Sequence, residues 1–420
     1  MTCRMDYICV RLRKVDRDIV IMSAVSESEV FEEVLEEVEE RGWDPFVHVP
    51  KAHSDEYENV VESYPGHKIT ISGRYPDVLG YTPTNQIVAV EVKGSKDLLK
   101  GLGQALVYQT GSDRSYVASA AEPLEGVSEV ALSKGLGTIS VDGSGSVDWE
   151  DPKWHGEKRF IDDVERQLNY KLQGYETAGK ITSMSLHHSV NFLPSIFVLE
   201  DGPKTKEVLE SRIRQEYDFN AVDGSIRGSI TLRLIEKADG IYELTDQGEL
   251  ALSALRGLGV EDLEDLKRVK EKSGGVGNCL YLEFPEIATL LRNLSFRHPE
   301  FESFVSALYS TELERDEGNK VYFPDLVEHL VENYPNVFLN MLCSSKSRGK
   351  ARELMENGQR ETIYENEEVW KEIVRNNVVF NFTGHLKHMG ILSVETKGYG
   401  GAMDEYNPME HPWILSDGVR

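Results

Sequence analysis

The chain has 420 residues, with 72 acidic against 46 basic side chains and a net charge of −26. No run of about 18 apolar residues occurs, so a membrane-spanning helix and a membrane partner are excluded as expectations. The length predicts two to three domains, and 40% hydrophobic residues are ample for their cores.

Four cysteines, Cys3, Cys9, Cys279 and Cys343, lie far apart and form no CxxC pair, which predicts a reducing cytoplasm. The charge has two readings. One is a protein that avoids nucleic acid. The other is a haloarchaeal source with molar internal salt, where acidic surfaces keep proteins hydrated. Acid is spread along the whole chain on helix faces, as in "SESEVFEEVLEEVEER", which favours the second. At about 1 M salt the Debye length is roughly 3 Å, so long-range repulsion from DNA is screened and counterion release adds little affinity. Binding then has to rest on close contacts.

Residues 1–21 are too mixed in charge for a secretory signal and read as an extension before "MSAVSESEV". Ser26 and Glu29 fit a capping box for a helix over 26–41. Val30, Phe31, Val34, Leu35 and Val38 recur at helical spacing along it. "FVHVP" reads as a strand and 51–66 as a polar loop. "KITISG" is expected to open a strand that runs on through Pro76, Asp77, Val78 and Leu79. After the turn "TPTN", "QIVAVEVKG" is a buried strand. A helix over "SKDLLKGLGQALVYQTG", a strand, a helix over "EPLEGVSEVALSKG" and a Gly-rich hairpin follow. The "DGSGS" glycines suit a turn and lack the Lys-Ser/Thr of a phosphate loop. The expected fold class is α/β, a mixed sheet flanked by helices, followed by mostly helical units.

Six segments are predicted: the extension 1–21, a sheet domain 22–150, a linker helix 151–180, a helix-turn-helix unit 181–258, a helical connector 259–320 and a second such unit 321–420.

The chemistry concentrates at residues 77, 91 and 93. Glu91 and Lys93 are two apart on one strand and share a face, while Val90 and Val92 take the other. Pro76 cannot donate to a ladder and places its predecessor in an extended conformation. A hairpin puts Asp77 beside Glu91. Two carboxylates so close repel unless a cation lies between them. Oxygen ligands select Mg²⁺ or Mn²⁺, which bind phosphate oxygen and acidify water. Lys93 is then placed to orient that water. The ordinary alternative is a surface ion-pair cluster with Tyr108 in the core.

Pro76-Asp77 followed by Glu91-Val92-Lys93 resembles the PD-(D/E)xK nuclease superfamily, with its restriction-endonuclease-like fold. The resemblance implies metal ligation by Asp77, Glu91 and the Val92 carbonyl, with Lys93 catalytic. Gln104 and Tyr108 are similar to the QxxxY element of some branches, which contacts the phosphate backbone. Lys100 precedes them on the same helix face. These branches also use an acid from the first helix, and Glu32 or Glu33 is the expected residue, with Glu62 as another choice. Lys96 and Lys100 are expected beside the DNA.

"YELTDQGELAL" at 242–252 resembles the wing and following helix of winged helix-turn-helix domains. A recognition helix is expected at 224–237, carrying Arg227 and Arg233 toward DNA. In the second unit Lys387 and His388 fall on the corresponding helix. His385 and His388 have a spacing that can bind zinc, but a solvated or DNA-facing surface is the expectation, and His187-His188 reads as a helix boundary. The combined expectation is a metal-dependent DNA endonuclease of repair, recombination or defence. Many nucleases of this kind act as dimers, so a homodimer is an expected partner beside DNA. The alternative is a non-catalytic DNA-binding regulator with a nuclease-like scaffold. In that case the Asp77 and Glu91 carboxylates diverge or are capped by Arg74 or Lys96.

Overall fold

The computed structural model describes residues 25–50, 53–94, 97–153, 156–173, 181, 186, 188–238, 240–274, 277–315, 318–344, 346–374, 378–396 and 410–416. The chain is α/β. The extension 1–21, Lys96 and residues 397–409 lie outside the described residues.

The first helix, α1 (Glu27–Glu40), begins where the capping box places it. The Ser26 hydroxyl accepts from Glu29 N, and the Glu29 carboxylate accepts from Ser26 N. Val30, Phe31, Val34, Leu35 and Val38 are all buried. Each such side chain contributes at most about 1.5–3 kcal/mol against the sheet.

Six strands form that sheet: β1 (Asp44–Val47), β2 (Val78–Tyr81), β3 (Ile87–Val92), β4 (Arg114–Ala120), β5 (Gly137–Val141) and β6 (Val147–Glu150). Their spatial order follows the chain. β3–β4 and β4–β5 pair parallel, and the other neighbours pair antiparallel. All six residues of β3 are buried, as a strand covered on both faces requires. Val88, Val90 and Val92 face α1. The opposite face is covered by α3 (Leu98–Tyr108), by α4 (Ala121–Glu125) and α5 (Ser128–Ser133), and by α6 (Ile161–Leu172).

Three expectations change here. The polar stretch before residue 66 contains a short helix, α2 (Glu58–Ser63), anchored by buried Val60. The helix expected over 122–135 is two shorter ones, α4 and α5. "KITISG" does not lead straight into β2. The Thr70 amide and hydroxyl instead bond the Asn336 side chain, and the chain reverses over Ser72 (φ 52°) and Gly73 (φ 87°). That detour delivers Pro76 and Asp77 to the start of β2.

In the second half, helix Pro194–Leu199 precedes strand Lys204–Thr205. Helices Lys206–Glu216 and Val222–Thr231 follow, and then the hairpin Ile235–Ala238/Ile241–Leu244. The first strand pairs with the last, closing a three-stranded sheet. Helix Asp246–Gly257 packs behind it, capped by Thr245. The expected 224–237 helix stops at Thr231. Arg233 turns left-handed (φ 54°), and Leu234 N bonds back to Ser229 O while Arg233 N bonds Ile230 O. Residues 235–238 are therefore strand.

Among the described residues, buried hydrophobic side chains from Ile181 to Leu415 join one core. The segment expected as connector supplies much of it through Ile287, Leu291, Phe301 and Phe304. This half docks on the sheet through buried polar groups. Asn336 donates to Thr70 O and to the Asp163 carboxylate, 2.7 and 2.8 Å away. Burial lifts the Asp163 carboxyl to about 7, against the pull of Asn336. Arg360 donates to Ser72, and Arg352 lies over the Tyr75 ring at 4.6 Å. No helix among the described residues is long and apolar enough to cross a membrane.

Candidate active site

The β2–β3 register pairs Val78 with Val90, which sets Asp77 opposite Glu91 at the end of the hairpin. The carboxylates converge. Asp77 Oδ2 accepts from Val92 N at 2.7 Å. Lys93 Nζ lies 2.6 Å from Glu91 Oε1, 3.8 Å from Asp77 Oδ2 and 2.8 Å from Val92 O. One ammonium thus touches or borders all three oxygens that the sequence assigned to a metal.

Supporting contacts fix each group. Glu91 is 1% exposed, and its Oε2 lies 2.6 Å from Tyr108 Oη, which is also 2.7 Å from Tyr75 O. The His67 Nε2–H donates to Pro76 O while Nδ1 accepts from Ile69 N, so the neutral ring pins the approach to Asp77. Burial holds His67 down to about 3, aided by His48. Gly101 of α3 packs on the Lys93 stem, where a Cβ would fall 2.6 Å from Lys93 Cγ.

Burial drives the Asp77 carboxyl well above its usual range, and the Glu91 charge adds to it. Burial also raises Glu91, opposed by Lys93. Burial works to lower Lys93, but Asp77 and Glu91 override it and raise it.

These groups open on a cavity of about 630 Å³. Lys100 and Gln104 line it from α3, one turn apart, with Tyr108 a turn deeper, so the expected face is present. Gln104 Oε1 is buried there without a hydrogen-bond partner.

The first-helix acid is corrected. Glu32 is exposed and Glu33 sits by the β5–β6 turn near Gly145, while Glu62 is exposed on α2. None of them lines the cavity. Glu27 does, and its Oε2 accepts from Gly94 N at 3.1 Å. Its charge also raises Asp77 and Glu91. The available signal was the capping box: it puts Glu27 in the first turn, the end of α1 that meets the β3 terminus.

The expected DNA contacts divide. Arg227 is exposed on helix Val222–Thr231, its Nε donating to Asp223 O. Arg233 is exposed but lies beyond that helix and donates to Gln173 O. Lys387 is corrected: it is 4% exposed, and its Nζ donates to Thr396 O inside the core. His385 and His388 are fully buried rather than solvated. His388 Nδ1 accepts from Leu280 N, His385 Nδ1 bonds the Ser189 hydroxyl, and His388 stacks on His188 at 4.0 Å. His187 lies outside the described residues.

Among the described residues no three or more His, Cys, Asp or Glu side chains form a ready metal cage. The candidate donor set has two carboxylates and one backbone carbonyl. It is all oxygen, its members converge on one point, and a cation already fits there. Those properties suit a hard divalent ion. Compared with known families, curated proteins and solved structures, the chain matches none.

Proposed function

We propose that this protein is a divalent-metal-dependent nuclease that hydrolyses phosphodiester bonds in DNA. The observation that carries the reading is the convergence of Asp77 Oδ2, Glu91 Oε1 and Val92 O on the point occupied by Lys93 Nζ. Surface ion pairs do not require a backbone carbonyl aimed at the same spot, or a buried phenol holding the far oxygen of one acid. The carboxylates do not diverge, and their ion partner is Lys93.

Asp77, Glu91 and the Val92 carbonyl would hold Mg²⁺ or Mn²⁺, with Glu27 at the rim. A bound ion of this kind supplies Lewis acidity toward a phosphate oxygen and a more acidic water. The chain's own residues supply the rest. Tyr108 and the Val92 amide hold the two carboxylates in place. Lys93 carries a proton at Nζ, orients the attacking water and offsets negative charge on the phosphorane. Lys100 and Gln104 meet the phosphate backbone along α3. The helix–strand–helix–helix–hairpin unit of 194–244, with exposed Arg227, is read as a winged helix that docks DNA.

The test is incubation with plasmid, linear, single-stranded and branched DNA in molar KCl, with and without Mg²⁺. Lys93→Ala is expected to abolish Mg²⁺-dependent cleavage and leave DNA binding nearly intact. Equal cleavage by variant and parent would discard the assignment.

A further inference from the structure

A second cleft adjoins the site, and its charge runs against the rest of the chain. It encloses about 960 Å³ and shares His48, Val49, Pro50 and Tyr75 with the site cavity. The sheet domain forms one wall with Lys68. Lys171 comes from α6, and helix Arg348–Glu356 brings Arg348 and Arg352. Among the described lining residues these four cations face one acid, Glu300. The site cavity next door has the opposite balance, with Glu27, Glu56, Asp77, Glu91, Asp97 and Glu356 outnumbering Arg74, Lys93 and Lys100.

In a chain so rich in acid, several arginines find carboxylates: Arg41 with Glu37, Arg212 with Glu216, Arg256 with Glu200. Arg348 and Arg352 differ. The Nε of each is buried with no hydrogen-bond partner. They stand four apart on one helix, a like-charge spacing that costs stability unless an anion lies between them. The guanidinium fork matches a phosphate in two hydrogen bonds. A cleft walled by protein focuses the field of its charges and shields them from salt, which an open surface of net charge −26 cannot do.

We propose that Arg348 and Arg352, with Lys68 across the cleft, form a track for the phosphate backbone of a DNA strand leading into the Asp77–Glu91–Lys93 cavity. The identity of the strand rests on the nuclease reading. The new element is that Lys68 and helix Arg348–Glu356, which lie outside the winged-helix unit, line the path into the site. Arg352 also joins the two sites physically. It lies over the Tyr75 ring, and the Tyr75 carbonyl meets Tyr108, which holds Glu91.

The test uses the intact chain and the double variant Lys68→Gln/Arg348→Gln. Lys68 is exposed and Arg348 is half-buried, so the variant is expected to melt like the parent. Arg352 is left in place because it packs on Tyr75. Binding of a fluorescein-labelled DNA oligonucleotide is followed by anisotropy in EDTA over a KCl series. The expected result is at least tenfold weaker binding. The slope of log K against log salt should also shrink by roughly 2, about one per lost phosphate contact. Unchanged affinity and slope, or no binding by the parent, would overturn the track. So would displacement of the oligonucleotide by inorganic phosphate at equal phosphate concentration, which would mark a lone-anion site. A strand bound here but never cut would sink the nuclease reading and leave the track standing. Cleavage with an unaltered salt slope would do the reverse.

Discussion

Tyr108 Oη lies 2.6 Å from Glu91 Oε2, joining residues 17 apart in the chain across the α3–β3 contact. The phenol has one proton and two oxygen neighbours, Glu91 and the Tyr75 carbonyl. It therefore fixes both the acid and the loop that precedes Asp77. Tyr108→Phe keeps the ring but leaves a buried carboxyl with one partner fewer. A stability loss of about 1–3 kcal/mol is expected by urea denaturation. Single-turnover cleavage should slow by more than DNA binding weakens. An unchanged rate would show that the phenol is only packing.

Glu27, not Glu32 or Glu33, reaches the cavity rim. Glu27→Gln should raise the Mg²⁺ concentration needed for half-maximal cleavage several-fold. Glu32→Gln should leave it within error. If both variants behave alike, Glu27 has no part in the site.

Gly101 gives Lys93 its room. In an exposed helix, Gly→Ala gains up to about 1 kcal/mol, whereas overpacking costs about 1–3 kcal/mol. With a Cβ 2.6 Å from Lys93 Cγ, the two nearly cancel in stability, yet the ammonium must move. Gly101→Ala is expected to lose about tenfold in cleavage with a melting temperature close to the parent's. Full activity would mean that Lys93 tolerates displacement.

His188 reports on the C-terminal core. Its Nε2 meets the Ser273 hydroxyl, and its ring stacks on His388. Burial first, then His385 and Lys270, lowers it from 6.5 to about 3. The folded pKa lies below the unfolded one, so the unfolded chain takes up the extra proton in acid. The stability is full above about 6.5 and is lost as pH falls toward about 3. Between pH 7.5 and 5.5 the loss from this group is about 1.4 kcal/mol, one pH unit below 6.5. In denaturation curves, the gap between parent and His188→Asn should narrow by that order. A constant gap would mean His188 does not titrate with folding.

How much was legible in the sequence follows contact by contact. Apolar periodicity and turn residues announced the β2–β3 hairpin, α1 and α3. Those elements are near neighbours in the chain, so Asp77, Glu91 and Lys93 could be assembled from local rules, while Tyr108 was placed beside them by the family resemblance. Local rules failed where a residue's partner is distant. Lys387 and His388 sit in a basic, amphipathic-looking segment, yet His388 bonds Leu280, 108 residues away, and the core closes over both. Strand pattern at 68–73 lost to Asn336, 266 residues away.

The sequence by itself determined that two acids and a lysine would share one end of a buried hairpin, because side-chain alternation and turn length leave little choice. Only the tertiary structure decided which acid of α1 joins them and that Arg348 and Arg352 line the cleft next door. Helix docking and the Thr70–Asn336 seam set those positions, and neither is a property of any short stretch of chain.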